Sequence, residues 1–314
     1  MTGVSARNAR RGLRIPPAAM RLGVRQLGSR CLNPALSWPV QRSRLEQLGK
    51  TTRLPRGSDV TVRAIGGVRA EVVLASPRPS AVTVVHFHGG GYCVGSAGTV
   101  RSWAAHLSAA VGCTVVLPEY RLAPEHPYPA GLEDARAVLA ALTGETGAGS
   151  LVLSGDSAGA GLALALSLSI RDGGQELPAG CILLSPWLDL GRDRTADADL
   201  VRRDLLLSPG WLNACARAYA EPSSWSDSLV SPLCASHAGL MPLLVQAGTD
   251  EILAPDADLL AANAAAAGVE VTYSRWPRMW HDFMLQPGML AAADSALAQA
   301  AWFVSKVTCD VRAG

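Results

Sequence analysis

Nowhere in its 314 residues does the chain carry an apolar run approaching the ~20 residues that a membrane-spanning helix needs. No secretory signal is expected at its start, because Arg10-Arg11 is followed by no apolar core of the required ~7–15 residues. No Cys-x-x-Cys pair is present. The seven cysteines are odd in number and scattered, several inside strand or helix patterns (Cys113, Cys181, Cys215). That gives no reason for zinc and points to reduced thiols in a cytoplasmic protein. There is no low-complexity tract and no internal repeat, so disorder and solenoid architectures are set aside. Aromatics are scarce at 5%, yet 49% of the residues are hydrophobic, enough for a sizeable globular core. Acidic residues are missing from the first 45 positions, which hold nine arginines; Glu46 is the first acid. With a net charge of only +2, the remainder is mildly acidic. The basic start reads as a solvated terminus, with weak contact to an anionic membrane surface as the alternative. Nothing indicates a nucleic-acid partner.

What is present is a rhythm. Arg14 to Leu48 mixes arginines with Leu, Met and Trp and is cut by Pro16-Pro17, Pro34 and Pro39, which predicts short helices. Val60–Ile65 and Val68–Leu74 flank Gly66-Gly67, an antiparallel hairpin signal. A strand reading at 81–88 follows. Helix patterns at 100–111, 132–142, 159–170, 257–267 and 292–307 then alternate with apolar strand runs at 114–117, 151–154, 181–184, 243–246 and 269–274. Strands apolar on both faces alternating with helices imply an α/β fold, a mostly parallel sheet covered on both sides. One stretch breaks the rhythm: Asp189–Leu240 offers helix-prone segments (Leu200–Leu207, Trp211–Ala220) and no convincing strand. Insertions after strand C-termini overhang the site face of such sheets. The expected organisation is therefore an N-terminal cap segment (1–55), a core (56–188 and 241–314) and a cap insertion (189–240).

The chemistry centres on Gly155-Asp156-Ser157-Ala158-Gly159, set between a strand and a long Ala/Leu helix. A serine on so tight a turn has strained backbone, and the flanking glycines are needed because side chains there would collide with strand or helix. A helix N-terminus then points its free N–H groups at the reacting centre. A serine hydroxyl needs a base, the base needs an orienting acid, and the oxyanion needs donors. His281 follows the last strand and is the expected base; His86 lies in a strand, His106 in a helix, and His126 and His237 fall in the wrong order. Asp250, immediately after a strand, is the expected acid. Glu251 is its nearest rival, whereas Asp256 and Asp258 lie at a helix start and read as N-caps. The expected oxyanion donors are the backbone N–H groups of Gly89, Gly90 and Ala158, supplied by His88-Gly89-Gly90-Gly91 and the nucleophile turn.

These features together resemble the hormone-sensitive lipase family of α/β-hydrolases, which pairs an HGGG oxyanion loop with a GDSAG turn. Tyr120-Arg-Leu-Ala-Pro-Glu125, continued by Pro127, Pro129 and Asp134, is similar to the family's YRLAPE stretch. Ser185-Pro-Trp187, Ser231-Pro-Leu233 and His281-x-Phe283 also match. The resemblance runs from about residue 81 to 283. It implies a carboxylic-ester hydrolase with a helical cap, a triad of Ser157, Asp250 and His281, and no metal or cofactor. It implies supporting rather than reacting roles for Asp156, Tyr120 and Arg121. Two departures stand out: Asp250 is followed by Glu251-Ile252 where the family commonly has Pro-Leu, and Met241-Pro242 replaces a pair of prolines.

The expected activity is hydrolysis of short- to medium-chain acyl esters through a covalent acyl-enzyme. An amide deacetylase or acyltransferase would use the same triad, and a non-catalytic ligand-binding protein could occupy the same fold. An exposed edge strand or the last helix could support a homodimer.

Overall fold

The structure is a computed structural model and describes residues 15–50, 52–76 and 79–309. The start of the arginine-rich segment, Arg10-Arg11 included, lies outside the described residues. Two helices open the chain, α1 (Pro17–Cys31) and α2 (Trp38–Gly49), each with proline in its first turn. Proline fits there because its missing N–H is one the helix leaves unpaired anyway. The expected short helices are thus present, with Pro34 in the turn between them.

β1 (Asp59–Ile65) and β2 (Val68–Leu74) form the antiparallel hairpin expected across Gly66-Gly67, Ile65 pairing with Val68. β3 (Thr83–Phe87), α3 (Ala97–Val111), β4 (Thr114–Pro118), α4 (Ala130–Thr146), β5 (Leu151–Asp156), α5 (Ala158–Asp172) and β6 (Gly180–Leu184) follow in alternation. α6 (Ala198–Arg203) and α7 (Pro209–Tyr219) occupy the interruption. β7 (Leu243–Gly248), α8 (Ala254–Ala266), β8 (Val271–Trp276) and α9 (Ala291–Val307) complete the chain. The strands make one eight-stranded sheet in the order β1-β2-β4-β3-β5-β6-β7-β8, antiparallel at β1-β2 and β2-β4 and parallel elsewhere. This is the α/β-hydrolase arrangement expected.

Every residue of β3, β5, β6 and β7 is buried, the physical reason their sequences read as mostly apolar runs. Neighbouring side chains go to opposite faces. Val84 packs with α3 and α9 residues such as Trp103 and Phe303, while Val85 packs with α4, α5 and α8 residues such as Leu132, Leu164 and Leu260. Each face buries its own core.

The interruption holds no strand among the described residues, as expected, but α6 is shorter than the sequence suggested. It stops at Arg203 because the Asp204 carboxylate accepts the N–H groups of Leu206, Leu207 and Ile252, at 2.8, 2.9 and 2.8 Å. Those bonds favour a turn over further helix, and they tie the insertion to the loop after β7. No helix among the described residues is long and apolar enough to cross a membrane.

Candidate active site

Ser157 sits between the end of β5 and the start of α5 with φ 53° and ψ −120°, backbone that a non-glycine residue adopts only under constraint. The constraint is visible on both sides. A Cβ at Gly155 would strike the backbone of Gly159, and one at Gly159 would strike the Phe87 carbonyl of β3. The Ser157 N–H donates to the Leu184 carbonyl at 2.8 Å, and its own carbonyl accepts from Trp187 N at 3.0 Å. The strained turn is bolted to the neighbouring strand end.

His281 reaches Ser157 from the loop after β8. Its Nε2 lies 3.0 Å from Ser157 Oγ. Its Nδ1 lies 2.8 Å from Oε2 of Glu251, not from Asp250. A carboxylate can only accept, so Nδ1 carries a proton, and Nε2 accepts from the serine hydroxyl when the ring is neutral. The other Glu251 oxygen accepts the Gly248 N–H at 2.5 Å, which fixes the carboxylate in place. Both Glu251 and His281 are buried.

The expectation for Asp250 is therefore corrected. Its N–H donates to the Met279 carbonyl at 2.9 Å, holding its backbone against the His281 loop. Its side chain turns the other way, to Arg21 of α1 at 3.0 Å and Arg203 of α6 at 3.3 Å. Arg21 also donates to the Arg278 carbonyl at 2.7 Å and lies 5.9 Å from the Trp280 ring. Two adjacent acids on one turn thus face opposite ways: one orients the imidazole, the other fastens both overhanging segments. The departure at Glu251-Ile252 was the available signal, since shifting the acid position by one residue places Glu251 before an apolar residue. Asp256 and Asp258 do not cap α8 either. Asp256 accepts from Leu188 N at 2.9 Å and pairs with the buried Arg194 at 2.8 Å, and Asp258 accepts from the Tyr273 hydroxyl at 2.6 Å.

The glycine loop after β3 comes to the same place. Gly89 and Gly90 line one cavity with Ser157 and His281, and Ala158 is the first residue of α5, where an N–H has no acceptor inside the helix. The Tyr120 hydroxyl donates to the His88 carbonyl at 2.7 Å and its ring stacks on the His88 ring at 4.4 Å. Burial pulls the His88 pKa down, which keeps that imidazole neutral. A Cβ at Gly91 would meet Cys215 of α7. Arg121 does not touch the loop. It binds Asp134 at 2.9 Å and the Ala130 carbonyl at 3.1 Å, pinning the Tyr120 segment to α4.

Two features were not foreseen. Asp156 Oδ1 accepts from Nε2 of the buried His86 at 3.0 Å, and His86 Nδ1 lies 2.8 Å from Ser154 Oγ. Asp282 places Oδ2 3.1 Å from His281 Nε2. Burial, first, pushes the Asp282 pKa up to about 7. Burial alone would depress His281, but the Asp282 and Glu251 carboxylates override it and hold its pKa well above the usual value.

The cavity over Ser157 measures about 450 Å³, within the range of small-molecule sites. Its far wall is α1 and α2, through Met20, Val24, Leu45 and Leu48, with Leu206, Leu207 and Trp211 from the insertion. Leu205 packs against Met20 and Val24 in the core cluster instead. A second cavity of about 270 Å³, lined by Trp187, Arg194 and Trp225, does not include Ser157.

A family model described as alpha/beta hydrolase fold matches residues 84–285. An acetyl-hydrolase of Streptomyces hygroscopicus is 39% identical over 230 residues, covering 73% of this chain and 75% of its own. An esterase of Acinetobacter venetianus is 35% identical over 260 residues, covering 82% and 86%. Among solved structures, a hormone-sensitive lipase from a metagenome library superposes with a TM-score of 0.88 at 31% identity, covering 94% of this chain and 99% of its own.

Proposed function

From the chain's membership of the hormone-sensitive lipase family of α/β-hydrolases, and hence its standing as a serine ester hydrolase, we propose that Ser157, His281 and Glu251 form its catalytic triad. One observation carries this reading: the unbroken path from Ser157 Oγ through His281 to Glu251, with contacts of 3.0 and 2.8 Å. Ser157 attacks the acyl carbonyl as its proton passes to His281 Nε2. Glu251 holds the imidazole in the required tautomer and stabilises the imidazolium that forms. The tetrahedral oxyanion takes hydrogen bonds from the N–H groups of Gly89, Gly90 and Ala158, each such donor being worth on the order of 100- to 1000-fold in rate. His281 then gives the proton to the departing alkoxide. Water, deprotonated by the same nitrogen, hydrolyses the acyl-enzyme.

α1, α2 and the 189–240 insertion act together as the cap, and their apolar wall receives the acyl chain. The substrates are short- to medium-chain esters, whose acyl groups fit a cavity of about 450 Å³ lined by this wall. The test is hydrolysis of a nitrophenyl ester series from acetyl to dodecanoyl by wild type and Ser157→Ala side by side. Turnover that peaks at short or medium chains and vanishes in the variant is expected. Equal turnover in the two proteins would sink the assignment, and a dodecanoyl optimum would sink the chain-length reading.

A further inference from the structure

Asp282 is an acid at the reacting centre for which ester hydrolysis by Ser157, His281 and Glu251 has no use. Its backbone is left-handed, with φ 56°, and its N–H donates to Ser185 Oγ at 3.1 Å. That turn swings the carboxyl back beside its own neighbour, so Oδ2 stands 3.1 Å from His281 Nε2, the nitrogen that also faces Ser157. The side chain is 17% exposed and lines the cavity. A carboxylate offers about four lone-pair sites. Here Oδ1 is buried without a hydrogen-bond partner among the described residues. The exposure of the side chain therefore lies with the rest of the carboxyl, and Oδ2, which faces His281 Nε2, keeps lone pairs that a molecule in the cavity can use.

Position decides which half of the substrate that is. His281 Nε2 must deliver its proton to the leaving oxygen, so a group beside Nε2 stands beside the alcohol half. The acyl half is drawn the other way, toward the glycine loop and the apolar wall. We infer that Asp282 selects the alcohol half, accepting a hydrogen bond from a hydroxyl on the carbon adjacent to the one that bears the ester oxygen and so favouring partial esters of polyols over simple alkyl esters. In such an ester the free hydroxyl and the leaving oxygen sit on adjacent carbons, a spacing comparable with that between Oδ2 and Nε2. The inference rests on the ester-hydrolase reading with His281 as base.

The charged groups that face Asp282 are His281, Asp156 and Glu251. Burial, first, and the two carboxylates push it up to about 7, against the imidazolium, which pulls it down. Its acceptor strength therefore increases as pH rises through neutrality.

The experiment compares 2-hydroxyethyl butyrate with propyl butyrate, which differ by hydroxyl for methyl, on wild type, Asp282→Ala and Asp282→Asn between about pH 6 and 9. The quantity read is the ratio of the two kcat/KM values, in which base, acid and acyl effects cancel. Comparison with the variants removes any intrinsic difference in ester reactivity. Wild type should favour the hydroxylated ester about tenfold more than Asp282→Ala does, as expected for a hydrogen bond to a charged acceptor. Asp282→Asn, of the same shape, should retain part of the preference and lose its increase through pH 7. A ratio equal in all three proteins overturns the assignment of Asp282 alone. No turnover of either ester by wild type sinks the ester-hydrolase reading and this inference with it.

Discussion

The molecule contains two chains of serine, histidine and carboxylate, three residues apart at the serine. Ser157–His281–Glu251 opens on the cavity through its serine and histidine; Ser154–His86–Asp156 keeps its serine and histidine between strands and meets the cavity only through Asp156. Their contacts are alike in length, 3.0 and 2.8 Å against 2.8 and 3.0 Å. The differences lie in backbone and access. Ser154 is an ordinary β5 residue, fully buried with His86, whose ring packs on Trp103 at 4.4 Å. Ser157 stands on strained backbone at the mouth of a helix, with the glycine loop across the cavity. Serine, histidine and a carboxylate therefore make the proposed nucleophile's relay in one place and core mortar in the other. What separates them is a route for substrate and donors waiting for its oxyanion.

The comparison breaks most sharply at the serines. Ser157→Ala should lower kcat/KM by about 10⁴- to 10⁶-fold, measured on a nitrophenyl ester, leaving only what binding and the oxyanion donors supply. The acids come next. Glu251→Gln should cost roughly 10³- to 10⁴-fold in kcat through loss of imidazole orientation. Asp250→Asn should instead weaken the hold on α1 and α6 and raise KM by about fivefold or less, the scale of a partly exposed ion pair. If Asp250→Asn proved the more damaging in kcat, the order of the two acids would be wrong.

A smaller effect concerns pH. His281 accepts the serine proton only when neutral, and its pKa is held well above the usual value, so kcat/KM should climb as pH rises through the alkaline range. Asp282→Asn removes one of the carboxylates opposing burial, lowers the His281 pKa and should move that limb toward lower pH. A limb that stays put in the pH profile would separate Asp282 from the imidazole. Smallest in activity is Ser154→Ala. It leaves His86 Nδ1 without its donor in the core and should lower stability by about 1–3 kcal/mol, read as a fall in Tm. The kcat should remain within about twofold of wild type, because a buried hydrogen bond lost outside the site changes stability rather than the reacting geometry.

How much of this was legible follows the same division. Strand and helix alternation was readable because β3, β5, β6 and β7 are buried on both faces and so leave mostly apolar runs. Ser157, His281 and the glycine loop were readable because each is bound to a contiguous motif whose backbone geometry dictates its residues. The carboxylate that meets His281 lies one position after the one expected. On a turn, adjacent side chains diverge, and what decided between Asp250 and Glu251 was an arginine 229 residues away in the chain, Arg21, together with Arg203. Asp204 ending α6, Asp256 bound to Arg194 and Asp282 folding back on His281 were hidden for the same reason. Each depends on a partner brought in by the tertiary fold, and no local pattern carries that information. The cavity wall is likewise built of α1, α2 and insertion residues that no single window of sequence brings together.

The close approach of Gly155 to Gly159, and of Gly159 to the Phe87 carbonyl, has a consequence in the language of mutation. Every missense change of a glycine codon adds at least one carbon, and at these two positions the space that carbon needs is already filled by backbone. No substitution is conservative there, and size does not rank the alternatives: alanine is excluded for the same reason as tryptophan. The two positions flanking Asp156-Ser157-Ala158 have an alphabet of one letter, and relief for any second letter would have to come from moving a strand.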